Sequence, residues 1–186
     1  MNRHTLAALG AVPFLVLGLT TPARSTPPER IPIDEVAEFD FPLCGIDTHV
    51  RLTEQGTLTV RSRGEDGIAY FAERLERDAY NTNLETGLTV HVSQRIRPRD
   101  QRVVDNGDGT LTIHWQATLT QTDYAPDGSV AFRTAGRQTG IIVVEDGGTP
   151  SDPDDDEVIS EEYSDLYGHD GREGTDFCEW YAAVTG

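Results

Sequence analysis

Between residues 48 and 144 apolar and polar side chains alternate with a period of two, the pattern of strands with one face buried. Val50 and Leu52 alternate with His49 and Arg51, and Leu58 and Val60 alternate with Thr59 and Arg61 beyond Glu54-Gln55-Gly56. This predicts a β-hairpin turning at residues 54–56. A third strand is expected at residues 68–71 and a fourth around Tyr80, ending at the turn Asn83-Leu84-Glu85-Thr86-Gly87. Leu88, Val90 and Val92 alternate with Thr89, His91 and Ser93. Val103 and Val104 then face Leu111, Ile113 and Trp115 across Asp105-Asn106-Gly107-Asp108-Gly109, a strong hairpin signal. After the turn at residues 125–128 come strands at 130–132 and 140–144. Seven to nine strands on short turns, with no long amphipathic helix among them, make an all-β antiparallel meander. Closing it into a small barrel of about eight strands would remove exposed edges; a two-sheet sandwich fits the same pattern.

At the C-terminus the period changes. Asp176 followed by Glu179 resembles a capping box, and Phe177, Trp180, Tyr181 and Val184 stand at helical spacing, so a short helix over 176–184 is expected to dock by its aromatic face. The chain of 186 residues suits one domain. Its parts are expected to be a signal peptide at 1–25, a flexible Pro-rich leader at 26–36 and a single β domain at 37–186, which includes an acidic loop at 145–172.

The export signal rests on a charged start with Arg3, an apolar run over residues 6–19 and the cleavage-like Ala23-Arg24-Ser25. The run is shorter than the roughly 20 residues a spanning helix needs and contains Pro13, so a secreted, extracellular protein is expected. Export places Cys44 and Cys178, the two cysteines of the chain, in an oxidising compartment where they should form a disulfide. Neither lies in a C-x-x-C motif, which favours a structural bond over a redox-active one.

Charge narrows the partners. The chain has 32 acids against 15 cations, every one of them arginine, for a net charge of −17. That balance argues against nucleic acid and against an anionic membrane surface. From Glu145 onward there are 14 acids and one arginine, so the acidity is concentrated in the last part of the chain.

From Phe41 onward the chain resembles a group of uncharacterised secreted β-rich proteins of actinobacterial type. The likeness lies in Cys44-Gly45 opening a strand, in the Asn83 to Gly87 strand-turn-strand and in the ending Gly174-Thr175-Asp176-Phe177-Cys178. The resemblance implies the β fold and the disulfide, and carries no activity to any residue.

His49, His91 and His114 all lie off the apolar phase, as do Arg51, Arg61 and Arg63. If their strands are neighbours, His49, Arg51, Arg61, His91 and His114 form a polar face able to hold an anionic ligand by charge-assisted hydrogen bonds; the alternative is an ordinary solvated face. The three histidines lack the spacing of a zinc site, and neither a metal nor a cofactor is expected. Asp152, Asp154 and Asp156 imitate the start of a calcium loop, but Glu157 stands where glycine is needed and Tyr163 where a bidentate Glu should be. A further reading has the acidic segment screen Arg95, Arg97, Arg99 and Arg102. Nucleophile-elbow, zincin, P-loop and dinucleotide-binding motifs are absent, and Glu161/Glu162 beside Tyr163 and Tyr167 give only a chance likeness to glycoside chemistry. The expected function is a secreted, disulfide-closed β-barrel binding or interaction module, non-enzymatic, for a small molecule or an extracellular protein. The alternatives are a small hydrolase or isomerase using the polar-face histidines and carboxylates, and an acidic surface protein with weak calcium binding.

Overall fold

The computed structural model describes residues 27–64, 67–149 and 156–186; the expected signal peptide, and Asp152 and Asp154 of the calcium-like run, lie outside them. The described residues form one antiparallel sheet of eight strands in meander order, β1 (Glu29–Leu43), β2 (Ile46–Arg63), β3 (Ile68–Asn83), β4 (Thr89–Asp105), β5 (Thr110–Tyr124), β6 (Val130–Glu145) and β7 (Glu157–Tyr163), with β8 (Tyr167–His169) also on β6. It curls into a half-barrel, with β1 and β7 each paired on one side only. Among the described residues one helix, α1 (Phe177–Thr185), follows.

Six strands run 15 to 18 residues, about three times the usual length. The alternation was therefore cut too finely. Residues 54–56, expected to turn, continue β2 without interruption, and Gly56 lies opposite Leu75. Its role is proximity: a Cβ there would stand 2.0 Å from the Arg74 carbonyl oxygen, so only glycine lets β2 and β3 approach this closely. Residues 68–71 and Tyr80 likewise belong to the single strand β3.

Glu29 to Val36, expected to be a lead-in, form the first half of β1 in unbroken register with β2, from Glu29 opposite Val60 to Leu43 opposite Ile46. Backbone pairing along the whole of β2 supplies what the side chains lack, and Pro32 and Pro42 are tolerated because β1 is an edge strand. Cys44 (φ 56°) and Gly45 (φ 80°) make the two-residue turn between β1 and β2, with both residues in the left-handed region that such hairpins require. Part of the segment expected to be an acidic loop is strand as well, in β7 and β8.

Two apolar clusters lie towards opposite ends of the long strands. In one, Val90, Val92 and Tyr181 are buried, with Leu43, Ile46, Ala79, Phe177, Trp180 and Val184 around them. Full burial of a side chain of this size contributes about 1.5–3 kcal/mol. The helix starts where expected: the Asp176 carboxylate accepts the backbone N–H groups of Cys178 (2.7 Å) and Glu179 (3.1 Å). Three further ties hold it to the sheet. The Cys44–Cys178 disulfide joins it to the first turn, the Tyr181 hydroxyl lies 3.1 Å from Thr48 Oγ1, and the Thr185 carbonyl accepts from Asn83 Nδ2 (3.0 Å) and Thr86 Oγ1 (2.6 Å). The second cluster buries Val103, Leu111 and Val144 against Ile68, Tyr70, Ile113 and Ile142. The middle of the sheet lies between the two clusters.

Candidate functional site

Register decides which side chains share a face. Val90 and Val92 face the helix, so the odd-numbered residues of β4 from 91 to 99 lie on the opposite face. Following the pairings outward puts His49, Arg51, Arg61, His91 and His114 all on that polar face, as the alternation suggested. They do not form one cluster. Arg51, Tyr80, His91 and Tyr124 lie in one row across the sheet, with His49 one step nearer the β1–β2 turn. Arg61 is ten residues along β2 from Arg51, and His114 ten along β5 from Tyr124, about 33 Å in each case.

His91 is held on three sides. Its ring stacks between Tyr80 (4.5 Å) and Tyr124 (5.1 Å), and Nε2 lies 2.7 Å from Asp78 Oδ1. His49 Nδ1 lies 2.8 Å from Asp40 Oδ1, and Arg51 pairs with Glu38 at 3.2 Å. These polar-face groups are engaged by neighbouring strands, and the exposed pairs among them add under about 1 kcal/mol each.

The middle of the same face is different. A groove of about 650 Å³ crosses β1 to β5, and its lining includes Arg30, Arg61, Arg74, Arg97 and Arg99, with Thr57, Thr59 and Thr118 between them. Ala72 opposite Arg99 and Leu75 opposite Ile96 place Arg74 directly across from Arg97. Among the described residues none of these five arginines is in an ion pair. Like charges set opposite one another cost a few tenths to about 1 kcal/mol. The groove therefore sets five arginines, none in an ion pair among the described residues, against the one acid of its lining, Glu73, in a chain of net −17. It continues at both ends. A second depression of about 310 Å³ shares Thr57, Arg74 and Arg97 and reaches Arg95, and a third of about 380 Å³ shares Thr59, Arg61 and Arg99 and reaches Arg63. Arg63 lies 4.3 Å over the ring of Tyr70.

Glu73, which lines the groove, and Asp100, which lines its extension towards Arg63, have raised pKa values. Glu73 is pushed up by burial and by Glu54, with Arg77 opposing. Asp100 is pushed up by burial and by Glu73, against the hydrogen bond it accepts from the Phe71 N–H (2.7 Å). Screening of Arg95, Arg97, Arg99 and Arg102 by the acidic segment is not what the described residues show: Arg95 pairs with Glu76 on β3 (3.2 Å), and the other three are in no ion pair. The reason is topological, since β7 lies beyond β6, three strands from β4. The described residues contain no group of three or more potential metal ligands and no helix long and apolar enough to cross a membrane.

Of the five residues expected to bind a ligand, only Arg61 lines the main groove. Arg30 and Arg74 were missed because their segments were not read as strands facing β2. Arg95-Ile96-Arg97-Pro98-Arg99 itself alternates with period two, and that signal places three guanidiniums on one face. No protein family, curated protein or solved structure matches the chain.

Proposed function

We propose that this chain is a secreted, disulfide-closed β module that binds an anionic ligand in the arginine-lined groove and works by binding rather than by catalysis. The observation that carries the reading is that Arg30, Arg61, Arg74, Arg97 and Arg99 share one groove with no ion pair among the described residues. Folding alone gains nothing from this arrangement, because removing one of two facing like charges relieves repulsion. An oxyanion in the groove reverses the sign, since guanidiniums donate paired, charge-assisted hydrogen bonds to it and threonine hydroxyls supply further donors. Export is supported by the apolar run at residues 6–19 ahead of Ala23-Arg24-Ser25 and by the disulfide.

The test is calorimetric titration of pyrophosphate into protein purified from culture medium without refolding. Wild type should bind, and Arg74→Gln/Arg97→Gln should lose at least tenfold in affinity while melting at or above the wild-type temperature. Arg51→Gln, on the same face outside the groove, should bind as wild type. Unchanged affinity in the double variant, or no binding by wild type, overturns the reading.

A further inference from the structure

We infer that the ligand is an extended chain of tetrahedral oxyanions, a phosphate or sulfate polymer, lying along the groove from Arg95 towards Arg63. The inference rests on the groove being the ligand site and adds the class of ligand. Three observations carry it.

The first is distance. Arg30 on β1 and Arg99 on β4 lie in one row three strands apart, about 14 Å, and positions 95 to 101 on β4 span about 20 Å. A single phosphate or sulfate cannot reach both ends, so guanidiniums placed this way are satisfied together only by several linked anionic groups.

The second is spacing. Arg95, Arg97 and Arg99 follow one another on one face at about 6.6 Å, and Arg74 faces Arg97 from the neighbouring strand. The cations thus form a continuous track, which matches a polymer with regularly repeated charge.

The third is what lines the track. The main groove and its extension towards Arg95 are lined chiefly by arginine and threonine, with Glu73 and Glu76 as their acids and no aromatic side chain, whereas Tyr70 and Phe71 line the extension towards Arg63. Binders of single-stranded nucleic acid stack bases on aromatic rings, and no such platform is present in these two parts of the groove. The guanidinium fork instead fits the paired oxygens of phosphate and sulfate. The chain's negative charge does not forbid such a ligand: at physiological ionic strength the Debye length is about 8 Å, so distant acids are screened while the groove arginines act at contact.

The experiment is a length series measured by calorimetry on the secreted protein. Pyrophosphate, tripolyphosphate and a longer linear polyphosphate form one arm, sulfated oligosaccharides of increasing length a second, and an oligothymidylate a third. Affinity should rise at least tenfold from the shortest to the longest member of the phosphate arm, the sulfate arm or both, and the stronger arm identifies the source. The gain with length should shrink in Arg63→Gln and Arg95→Gln, which line the two extensions and not the main groove, while their affinity for pyrophosphate changes less than threefold. Log affinity should fall with log salt concentration, less steeply in each variant. Pyrophosphate binding as tightly as the longest polymers overturns the extended ligand and leaves the anion site standing. Oligothymidylate binding tightest overturns the class of ligand. No binding in any arm removes both the inference and the reading beneath it.

Discussion

Arg172→Met tests how the C-terminal segment is anchored to the sheet. Asp123 is fully buried on β5, and its Oδ2 accepts from Arg172 Nε (2.8 Å) and Nη2 (2.7 Å) while Oδ1 accepts from Gln121 Nε2 (2.8 Å). The Arg172 side chain is 28% exposed and its guanidinium also lies 4.6 Å over the ring of Phe177. Methionine keeps the aliphatic volume but leaves a buried carboxylate with one neutral donor. Breaking a buried pair in this way costs about 3–5 kcal/mol, and the partial exposure of Arg172 places the expected loss near the lower end. Against a total stability of about 5–15 kcal/mol this is a large fraction, and it corresponds to a fall in Tm of about 6–12 °C for a domain of this size. Urea unfolding followed by the fluorescence of Trp180, which packs edge-on against Phe132 at 4.9 Å, reads the change directly. Adding Asp123→Asn to Arg172→Met should recover most of the loss, since the amide needs no counter-charge. A cost below about 1 kcal/mol for the single variant, or no recovery in the double, would refute the reasoning.

Opening the disulfide with Cys44→Ser/Cys178→Ser frees a closure spanning 134 residues, worth about 5 kcal/mol in the chain-entropy picture, and should lower the urea midpoint more than Arg172→Met does. Gly56→Ala forces β2 away from the Arg74 carbonyl, and Gly140→Ala drives a Cβ to 2.6 Å from the Trp115 ring and the Glu162 carbonyl oxygen; each should cost about 1–3 kcal/mol by chemical denaturation. Glu73 has a folded-state pKa above its unfolded value, so the folded state binds the proton more tightly and stability falls as pH rises through that interval. Glu73→Gln should remove the part of this fall that Glu73 causes, leaving the part due to Asp100, and raise stability at neutral pH relative to wild type, as measured by urea unfolding between pH 4 and 8.

Local chemistry was legible where it acts over a few residues. The turn at 83–87 closes through Asn83 Oδ1, which accepts from the N–H groups of Glu85 (2.8 Å) and Thr86 (3.3 Å), and Asp176 caps the helix as its spacing implied. The two cysteines of the chain had one partner each. Strand length was less legible, because polar residues in the middle of a long, twisted strand look like turns. Glu54 and Arg77 form an ion pair across β2 and β3, and Gln94 Nε2 donates to Gln121 Oε1 (2.7 Å) across β4 and β5, so positions that read as breaks are cross-strand contacts. Strand β1 escaped notice for a related reason: its prolines and acids suit an edge, and nothing local announces its pairing with β2. The groove depends on that pairing and on the register of β3 with β4, which only the fold reveals. The polar face was recognised from phase alone, whereas the place on it where charge accumulates was not.

The most direct measurement is an NMR titration of the arginine Nε–Hε signals of the full chain with tripolyphosphate. The account predicts saturable shifts at Arg30, Arg61, Arg74, Arg97 and Arg99, with Arg51 and Arg172 unmoved. Shifts spread evenly over all the arginines, or centred on Arg51 beside His49 and His91, would contradict it.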